Sequence, residues 1–240
     1  MNNKEDIKSS SSTNINSNEN SAFAIDLEKI ENKEAKEALA EKILDKVKDG
    51  QTIGFGSGTT SYITAIKIGE KVQREHLNIT AIPTSNEIKE VCEKYGIKIG
   101  NLIENEIDWA FDGADEVLLK DKWLIKGKGA AMFKEKLNII ASPITYILVD
   151  NTKIVDYLGQ KCKVPIEVFP QALKYVSDEL KKLGAEDITY RGFTENNNGI
   201  LDVKFEKIEK DLEKSVKEIT GVIESGLFLN YKNIEIITLQ

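Results

Sequence analysis

The sequence predicts an α/β fold with a parallel sheet, joined to a smaller α+β unit. The main observation is that short apolar strands alternate with helical patterns from about residue 26 to residue 150, an order typical of parallel sheets. After Gly159 the order changes to β-α-β-β-α, which indicates a second, smaller unit. Apolar residues make up 40% of the 240 positions, enough to bury a sizeable core.

In the first part of the chain, helical patterns alternate with buried strands. Leu39, Ile43 and Val47 recur at helical spacing and predict a helix that Gly50 should end. A second helix should end at Gly69. The helices expected after the first are 59–68, 87–95 and one from about residue 129, and the expected strands are 52–55, 79–82, 97–99, 107–111 and 146–149.

The second part of the chain contains a hairpin signal. Two alternating runs flank the Asn-rich turn at 196–199, which ends in glycine and favours a tight reversal. The strands expected in this part are 164–170, 188–191, 200–203 and 234–237, and the expected helices are 171–183 and 210–219.

Composition and charge exclude several classes of protein. The chain has 33 basic and 40 acidic residues, and a net charge of −7 argues against a general nucleic-acid binder. No stretch approaches the roughly 18 uninterrupted apolar residues of a membrane span. Two cysteines cannot form a disulfide framework, and a single histidine, His76, all but removes histidine-rich metal sites. We therefore expect a cytoplasmic protein with neither a nucleic-acid nor a membrane partner.

A glycine-rich loop at Gly54–Thr60 joins a strand to a helix. Its glycines let the backbone turn tightly, and free N–H groups at the helix start, together with nearby hydroxyls, can bind an anion. The spacing of the glycines does not match a dinucleotide fingerprint, a phosphate-binding Walker loop or a nucleophile elbow. From the motif alone, phosphate binding and a plain strand-to-helix turn are both open.

A carboxylate-rich turn, Asp112-Gly113-Ala114-Asp115-Glu116, follows a buried strand. Ligands of open parallel sheets bind at the carboxyl ends of the strands, where carboxylates can exchange protons with hydroxyls or carbonyls. A turn capped by Asp112 would explain one aspartate but not the whole cluster. A divalent metal is an alternative that the spacing alone does not establish.

A third segment, Lys126 to Lys136, places a glycine-flanked lysine before a helix. Glu135 should lie about two turns into that helix, beside small apolar residues, where a carboxylate could act as a general base. Residue type alone favours a solvated Lys-Glu-Lys surface. Lys36 borders the buried face of the first helix and could reach a ligand, although solvation is the simpler interpretation. Lys153 follows the strand that ends at Asp150 and could line the same sheet edge.

These segments, in this order, resemble the type A ribose-5-phosphate isomerase family. That family has a Gly-x-Gly-Thr-Gly-Ser-Thr loop, an Asp-Gly-Ala-Asp-Glu turn and a Lys-Gly-Gly-Gly-Ala…Glu-Lys segment. The matching positions are 54–60, 112–116 and 126–136, and the resemblance extends over roughly residues 30 to 240.

The resemblance implies an aldose–ketose isomerase of the non-oxidative pentose phosphate pathway. It would interconvert D-ribose 5-phosphate and D-ribulose 5-phosphate through an enediol, with no cofactor and no metal. Glu135 matches the general base, and Asp112 and Lys126 match groups that move hydroxyl protons and stabilise enediolate charge. Asp115 matches the residue tied to ring opening. The residues expected to contact the phosphosugar are Gly56, Ser57, Gly58, Thr59, Thr60, Lys36, Gly127, Lys128, Gly129 and Lys153.

The resemblance also implies an organisation for the whole chain. It implies a Rossmann-like catalytic domain at 23–159 and 227–240 and an inserted α+β domain at 160–226. The segment at 1–22 lies outside the resemblance, and its composition predicts a disordered low-complexity tail. Members of the family are homodimers or homotetramers, so a homo-oligomer is expected.

Two positions depart from the family pattern, and other functions stay open. Lys128 replaces a glycine, and its Cβ restricts the backbone beside the sugar site. Ser57 and Thr59 exchange the usual order of the two hydroxyl residues. The main alternative is a sugar-phosphate-sensing effector module without catalysis, which would need no base. A sugar-phosphate deaminase or an acyl-CoA transferase fits less well, because the former usually needs histidine chemistry and the latter a different carboxylate.

Overall fold

The computed structural model describes residue 25 and residues 27–239. In this part the strands are β1 Thr52–Phe55, β2 Thr80–Pro83, β3 Lys98–Ile99, β4 Trp109–Asp112, β5 Glu116–Leu118, β6 Trp123–Ile125, β7 Thr145–Val149, β8 Val164–Val168, β9 Ala185–Phe193, β10 Gly199–Phe205, β11 Val222–Ser225, β12 Leu227–Phe228 and β13 Ile234–Thr238. The α-helices are α1 Lys33–Leu44, α2 Gly58–Glu75, α3 Asn86–Lys94, α4 Met132–Ala141, α5 Leu173–Lys182 and α6 Leu212–Lys217. The predicted tail at 1–22 lies outside the described residues.

A six-stranded sheet in the order β13-β7-β4-β1-β2-β3 forms the centre of the molecule. Every strand pair in it is parallel. Apolar residues of α1, α2 and α3 pack with one face of this sheet in a core that includes Phe55 and Phe111. Helix α4 packs on the other face, where Asn138 lies against β1. Burial on both faces explains why inner strands such as β4 and β7 are rich in apolar residues.

Two smaller antiparallel sheets complete the fold. One has the order β11-β8-β10-β9, and α5 and α6 share its apolar core. The other has the order β12-β6-β5, and its Val117, Leu124 and Phe228 pack with Ile139 of α4. The predicted α/β class, with a parallel main sheet and a smaller α+β part, is confirmed. The exact domain boundaries stay a prediction.

Two helix ends differ from the sequence prediction. Helix α1 ends at Leu44, before Gly50. The chain there forms tight turns, in which the N–H groups of Lys46 and Val47 donate to carbonyls three residues earlier. Helix α2 continues through Gly69 to Glu75. Gly69 is buried against the ring of Tyr95, so this glycine serves close packing. None of the described helices combines the length and hydropathy that crossing a membrane requires.

Candidate active site

The site lies where the direction of the chain across the main sheet reverses. From β1 the chain proceeds through β2 and β3 on one side and then returns to β4, β7 and β13 on the other. Neighbouring strands β1 and β4 are parallel, so the loop after β1 and the turn after β4 open at the same edge. Such switch points are where open α/β sheets bind ligands.

Gly56 makes room for Asp112 at this edge. A Cβ on Gly56 would lie 2.1 Å from the carboxyl carbon of Asp112, so no larger residue fits. The Asp112 side chain is 2% exposed and accepts hydrogen bonds from Gly113 N at 2.8 Å and Ser61 Oγ at 3.1 Å. Asp112 and Gly56 therefore form the inner wall of the site, just behind its open surface.

Lys126 is a buried cation between two carboxylates. Its Nζ lies 2.9 Å from Asp112 Oδ2 and 3.4 Å from Glu135 Oε2, and it donates to Gly113 O at 2.7 Å. Gly226 allows this arrangement, since a Cβ there would lie 2.1 Å from the Lys126 carbonyl oxygen. The chain thus fixes a positive charge where negative charge can develop on a ligand.

Glu135 is buried, and the predicted solvated Lys-Glu-Lys surface is wrong. Glu135 lies in the first turn of α4, earlier than expected, and is 3% exposed. Ser57 Oγ donates to its Oε1 at 2.6 Å. Its buried Oε2 accepts no hydrogen bond from any residue of the described part of the chain. A carboxylate oxygen held this way is available to take a proton from a ligand.

Burial changes the proton affinities of the site. It raises the pKa of Asp112 to about 7, despite the opposing charge of Lys126. It also raises the pKa of Asp115, although the Lys128 N–H acts in the opposite direction. For Lys126, burial lowers the pKa, but the attraction of Asp112 and Glu135 outweighs it and raises the pKa above its ordinary value. Lys126 therefore stays charged, while Asp112 can exchange a proton near neutral pH.

The other end of the site is built to hold an anion. Helix α2 begins at Gly58, whose φ of +79° lets the loop turn into the helix. Lys36 is 7% exposed, which contradicts the solvated interpretation, and its Nζ donates to Thr59 Oγ1 at 2.8 Å. Burial and then the nearby charge of Lys153 lower the pKa of Lys36. Two lysines thus converge on the start of a helix.

The segment after Lys126 shows why a lysine is accepted at position 128. Gly127 carries the positive φ of +93° and is buried, whereas Lys128 lies outside the left-handed region and is exposed. The Lys128 N–H donates to Asp115 Oδ2 at 3.0 Å, so its backbone fixes that carboxylate while its side chain borders the cleft. The Cβ at position 128 therefore does not disturb the backbone.

One open cleft unites these parts. Every predicted site residue lines it except Asp112 and Gly56, which lie behind it; the lining residues are Lys36, Ser57, Gly58, Thr59, Thr60, Gly113, Ala114, Asp115, Lys126, Gly127, Lys128, Gly129, Glu135 and Lys153. Within residues 25 and 27–239, no group of three or more His, Cys, Asp or Glu side chains is arranged to hold a metal ion.

Two contacts of the site were not found from sequence. Ser61 binds Asp112 from one turn beyond Ser57 on α2, a spacing that could have indicated it. Arg191 donates to the Lys128 carbonyl from β9, across 63 positions of sequence, and nothing local indicates this contact.

Comparison with known proteins of similar sequence points to a single family. The family model for ribose 5-phosphate isomerase A (phosphoriboisomerase A) matches residues 80–239. Ribose-5-phosphate isomerase A of Methanocaldococcus jannaschii is 37% identical, with 82% of this chain and 91% of the relative covered. Ribose-5-phosphate isomerase A 1 of Oceanobacillus iheyensis is 39% identical, with 84% and 93% covered.

Solved structures agree with the sequence comparison. The structure of the Methanocaldococcus jannaschii enzyme superposes with a TM-score of 0.82 at 34% identity, covering 86% of this chain and 95% of that one. A D-ribose-5-phosphate isomerase in complex with phospho-erythronic acid gives a TM-score of 0.81 at 36% identity, covering 87% and 96%. Sequence and fold thus agree over most of the chain, and the chain belongs to the ribose 5-phosphate isomerase A family.

Proposed function

We propose that this chain interconverts D-ribose 5-phosphate and D-ribulose 5-phosphate through an enediol intermediate. The observation that carries the proposal is the buried group of Glu135, Lys126 and Asp112, at one end of a cleft whose other end is built for an anion. A related enzyme binds phospho-erythronic acid, a phosphorylated sugar acid, which supports a phosphosugar as the ligand.

Glu135 is the general base of the proposed reaction. In the open-chain aldose, Glu135 takes the proton from C2, and the electron pair of that C–H bond forms the C1–C2 double bond. The C1 carbonyl oxygen then carries the negative charge, which Lys126 stabilises by its fixed position. Return of the proton to C1 gives the ketose, so one carboxylate serves both steps.

The aspartates handle the hydroxyl protons. The reaction also requires a proton to leave O2 and one to reach O1. Asp112, with a pKa of about 7, can both give and accept a proton at neutral pH. Asp115 lines the cleft and is held by the Lys128 N–H, a position suited to the ring hydroxyl and to ring opening.

The phosphate is assigned to the start of α2. Backbone N–H groups there and the side chains of Thr59, Lys36 and Lys153 offer donors to its oxygens. Ser57 has a different role in this proposal, because its hydroxyl already donates to Glu135. Binding the phosphate at this end places C1 and C2 next to Glu135 and Lys126.

The direct test follows ribulose 5-phosphate formation by purified protein in the presence of EDTA, since the proposed mechanism uses no metal or organic cofactor. The Glu135→Gln variant keeps the shape of the side chain but removes the base, and we expect its rate to fall by about 10²–10⁴-fold. Glu93→Gln, on an exposed part of α3, is the matched control and should keep the wild-type rate. Wild-type turnover by Glu135→Gln would exclude Glu135 as the base.

A sensing module without catalysis is not supported by the site. Binding alone would not require a buried carboxylate 3.4 Å from a buried lysine.

We propose in addition that the protein works in the cytoplasm as a homodimer or homotetramer, as its family implies. Sedimentation of the purified protein tests the state of assembly.

A further inference from the structure

We propose that Arg191 is a positioning residue, which orients the peptide groups of the Lys126–Gly129 segment toward the substrate. The inference rests on the proposed isomerase function. Arg191 belongs to β9 of the four-stranded sheet, whose strands contribute no lining residue to the cleft. Its guanidinium nevertheless donates to Lys128 O at 2.6 Å and to Gly127 O at 3.4 Å.

A β-bulge directs Arg191 toward the cleft. In the pairing of β9 with β10, Ile200 lies opposite Gly192 and Leu201 lies opposite Tyr190, so Arg191 is the extra residue. Bulges bend a strand locally and redirect a side chain, and they are frequent beside active sites. Gly192, with a φ of +131°, supplies the unusual backbone that follows the bulge.

Asp202 fixes the guanidinium in this position. Asp202 on β10 accepts from Arg191 Nε at 2.7 Å, which leaves the two terminal nitrogens to contact the carbonyls. Arginine suits this task because its donors form a rigid planar fork, whereas a lysine ammonium is a single point.

The planarity of the peptide bond transmits the effect to the cleft. In a trans peptide the C=O and N–H groups point in opposite directions. Gly127 O accepts from Ala130 N at 2.9 Å and from Arg191 at 3.4 Å, so the N–H of Lys128 faces the other way, where it donates to Asp115 Oδ2 at 3.0 Å. The same geometry at the next peptide turns the Gly129 N–H away from Arg191, so that this cleft-lining residue can offer its N–H to a substrate oxygen.

The test compares Arg191→Ala and Arg191→Lys with the wild type in the isomerase assay. Small displacements of reacting groups cost up to about 100-fold in rate, so we expect kcat of both variants to fall by about 10- to 100-fold. The KM should change little, and the inhibition constant of inorganic phosphate should stay at the wild-type value, because the phosphate end is untouched.

Guanidinium rescue separates positioning from a general structural effect. Millimolar guanidinium should restore part of the kcat of Arg191→Ala and leave the wild type unchanged. Lys204→Ala is the matched control, because it removes an ion pair with Glu186 across the same two strands and should keep full activity. Unchanged kcat in Arg191→Ala, or a loss that guanidinium does not restore, would overturn the proposal. Absence of turnover by the wild type would instead reject the proposed function.

Discussion

At the scale of single residues, the fold changes the meaning of side chains that look ordinary in the sequence. Glu135 lies in a charged stretch that suggests a surface, yet it is 3% exposed because Ser57, 78 positions earlier, meets it at the sheet edge. Ser57 itself, expected to contact the phosphosugar, donates to Glu135, the proposed base. Residue type and spacing identify the participants, but only the tertiary contacts assign the partners.

Asp112 should make the protein less stable as the pH rises from about 4 to about 7. Its pKa is raised from the ordinary 3.8 to about 7, so within this window the folded state holds a proton that the unfolded chain has released. Stability then falls with rising pH. The Asp112→Asn variant lacks this titration, and its free energy of unfolding relative to the wild type should increase across the window, measured by urea unfolding.

The control for this prediction is Asp178→Asn. Asp178 is exposed and its pKa is lowered by Lys174. The free energy of unfolding of Asp178→Asn relative to the wild type should therefore not increase from pH 4 to 7. A difference between Asp112→Asn and the wild type that is constant from pH 4 to 7 would contradict the prediction.

At the scale of elements, the sequence predicts the parallel strands well and several other elements poorly. The bounds predicted for strand β1 match the structure, and the strand is buried from Ile53 to Phe55, as expected of a parallel strand covered on both faces. The short strands β5, β6, β11 and β12 were missed. They are two to four residues long, and what defines them is their pairing with distant segments, such as β12 with β6. Helix α2 was predicted too short because Gly69 reads as a stop, whereas it is a packing residue.

Gly69→Ala should destabilise the packing of α2 on the segment after α3. The new Cβ would lie 2.3 Å from the Tyr95 ring, and such overpacking costs about 1–3 kcal/mol. The higher helix propensity of alanine offsets about 1 kcal/mol. We expect a net loss of about 1 kcal/mol, measured by chemical denaturation. In a Tyr95→Ala background the ring atoms are gone and only the approach to the Tyr95 Cβ, at 2.8 Å, remains, so Gly69→Ala should cost less than in the wild type. A loss of equal size there would refute the packing explanation.

At the scale of the whole molecule, the net charge of −7 does not describe the cleft. The acidic excess lies largely on solvated surfaces, while four lysines, at positions 36, 126, 128 and 153, line the site. Another buried cation, Lys136, joins distant parts of the fold. Its Nζ contacts Glu213 at 2.7 Å, Glu224 at 2.9 Å and the Leu227 carbonyl at 2.8 Å. Helix α4 is thereby linked to β11, the edge strand of the four-stranded sheet, and to α6, which packs in the core of that sheet.

Loss of the ion-pair cluster around Lys136 should lower the free energy of unfolding of the protein. Lys136→Ala leaves the buried Glu224 and the partly buried Glu213 without their shared cation, with Lys217 still 3.2 Å from Glu224. Breaking a buried pair costs about 3–5 kcal/mol. Lys134→Ala, two residues earlier on α4, is the matched control. Its pair with Glu195 is 38% and 34% exposed, so its loss should cost at most about 1 kcal/mol. Chemical denaturation of both variants measures the difference, and equal losses would show that the Lys136 cluster does not stabilise the fold beyond a surface ion pair.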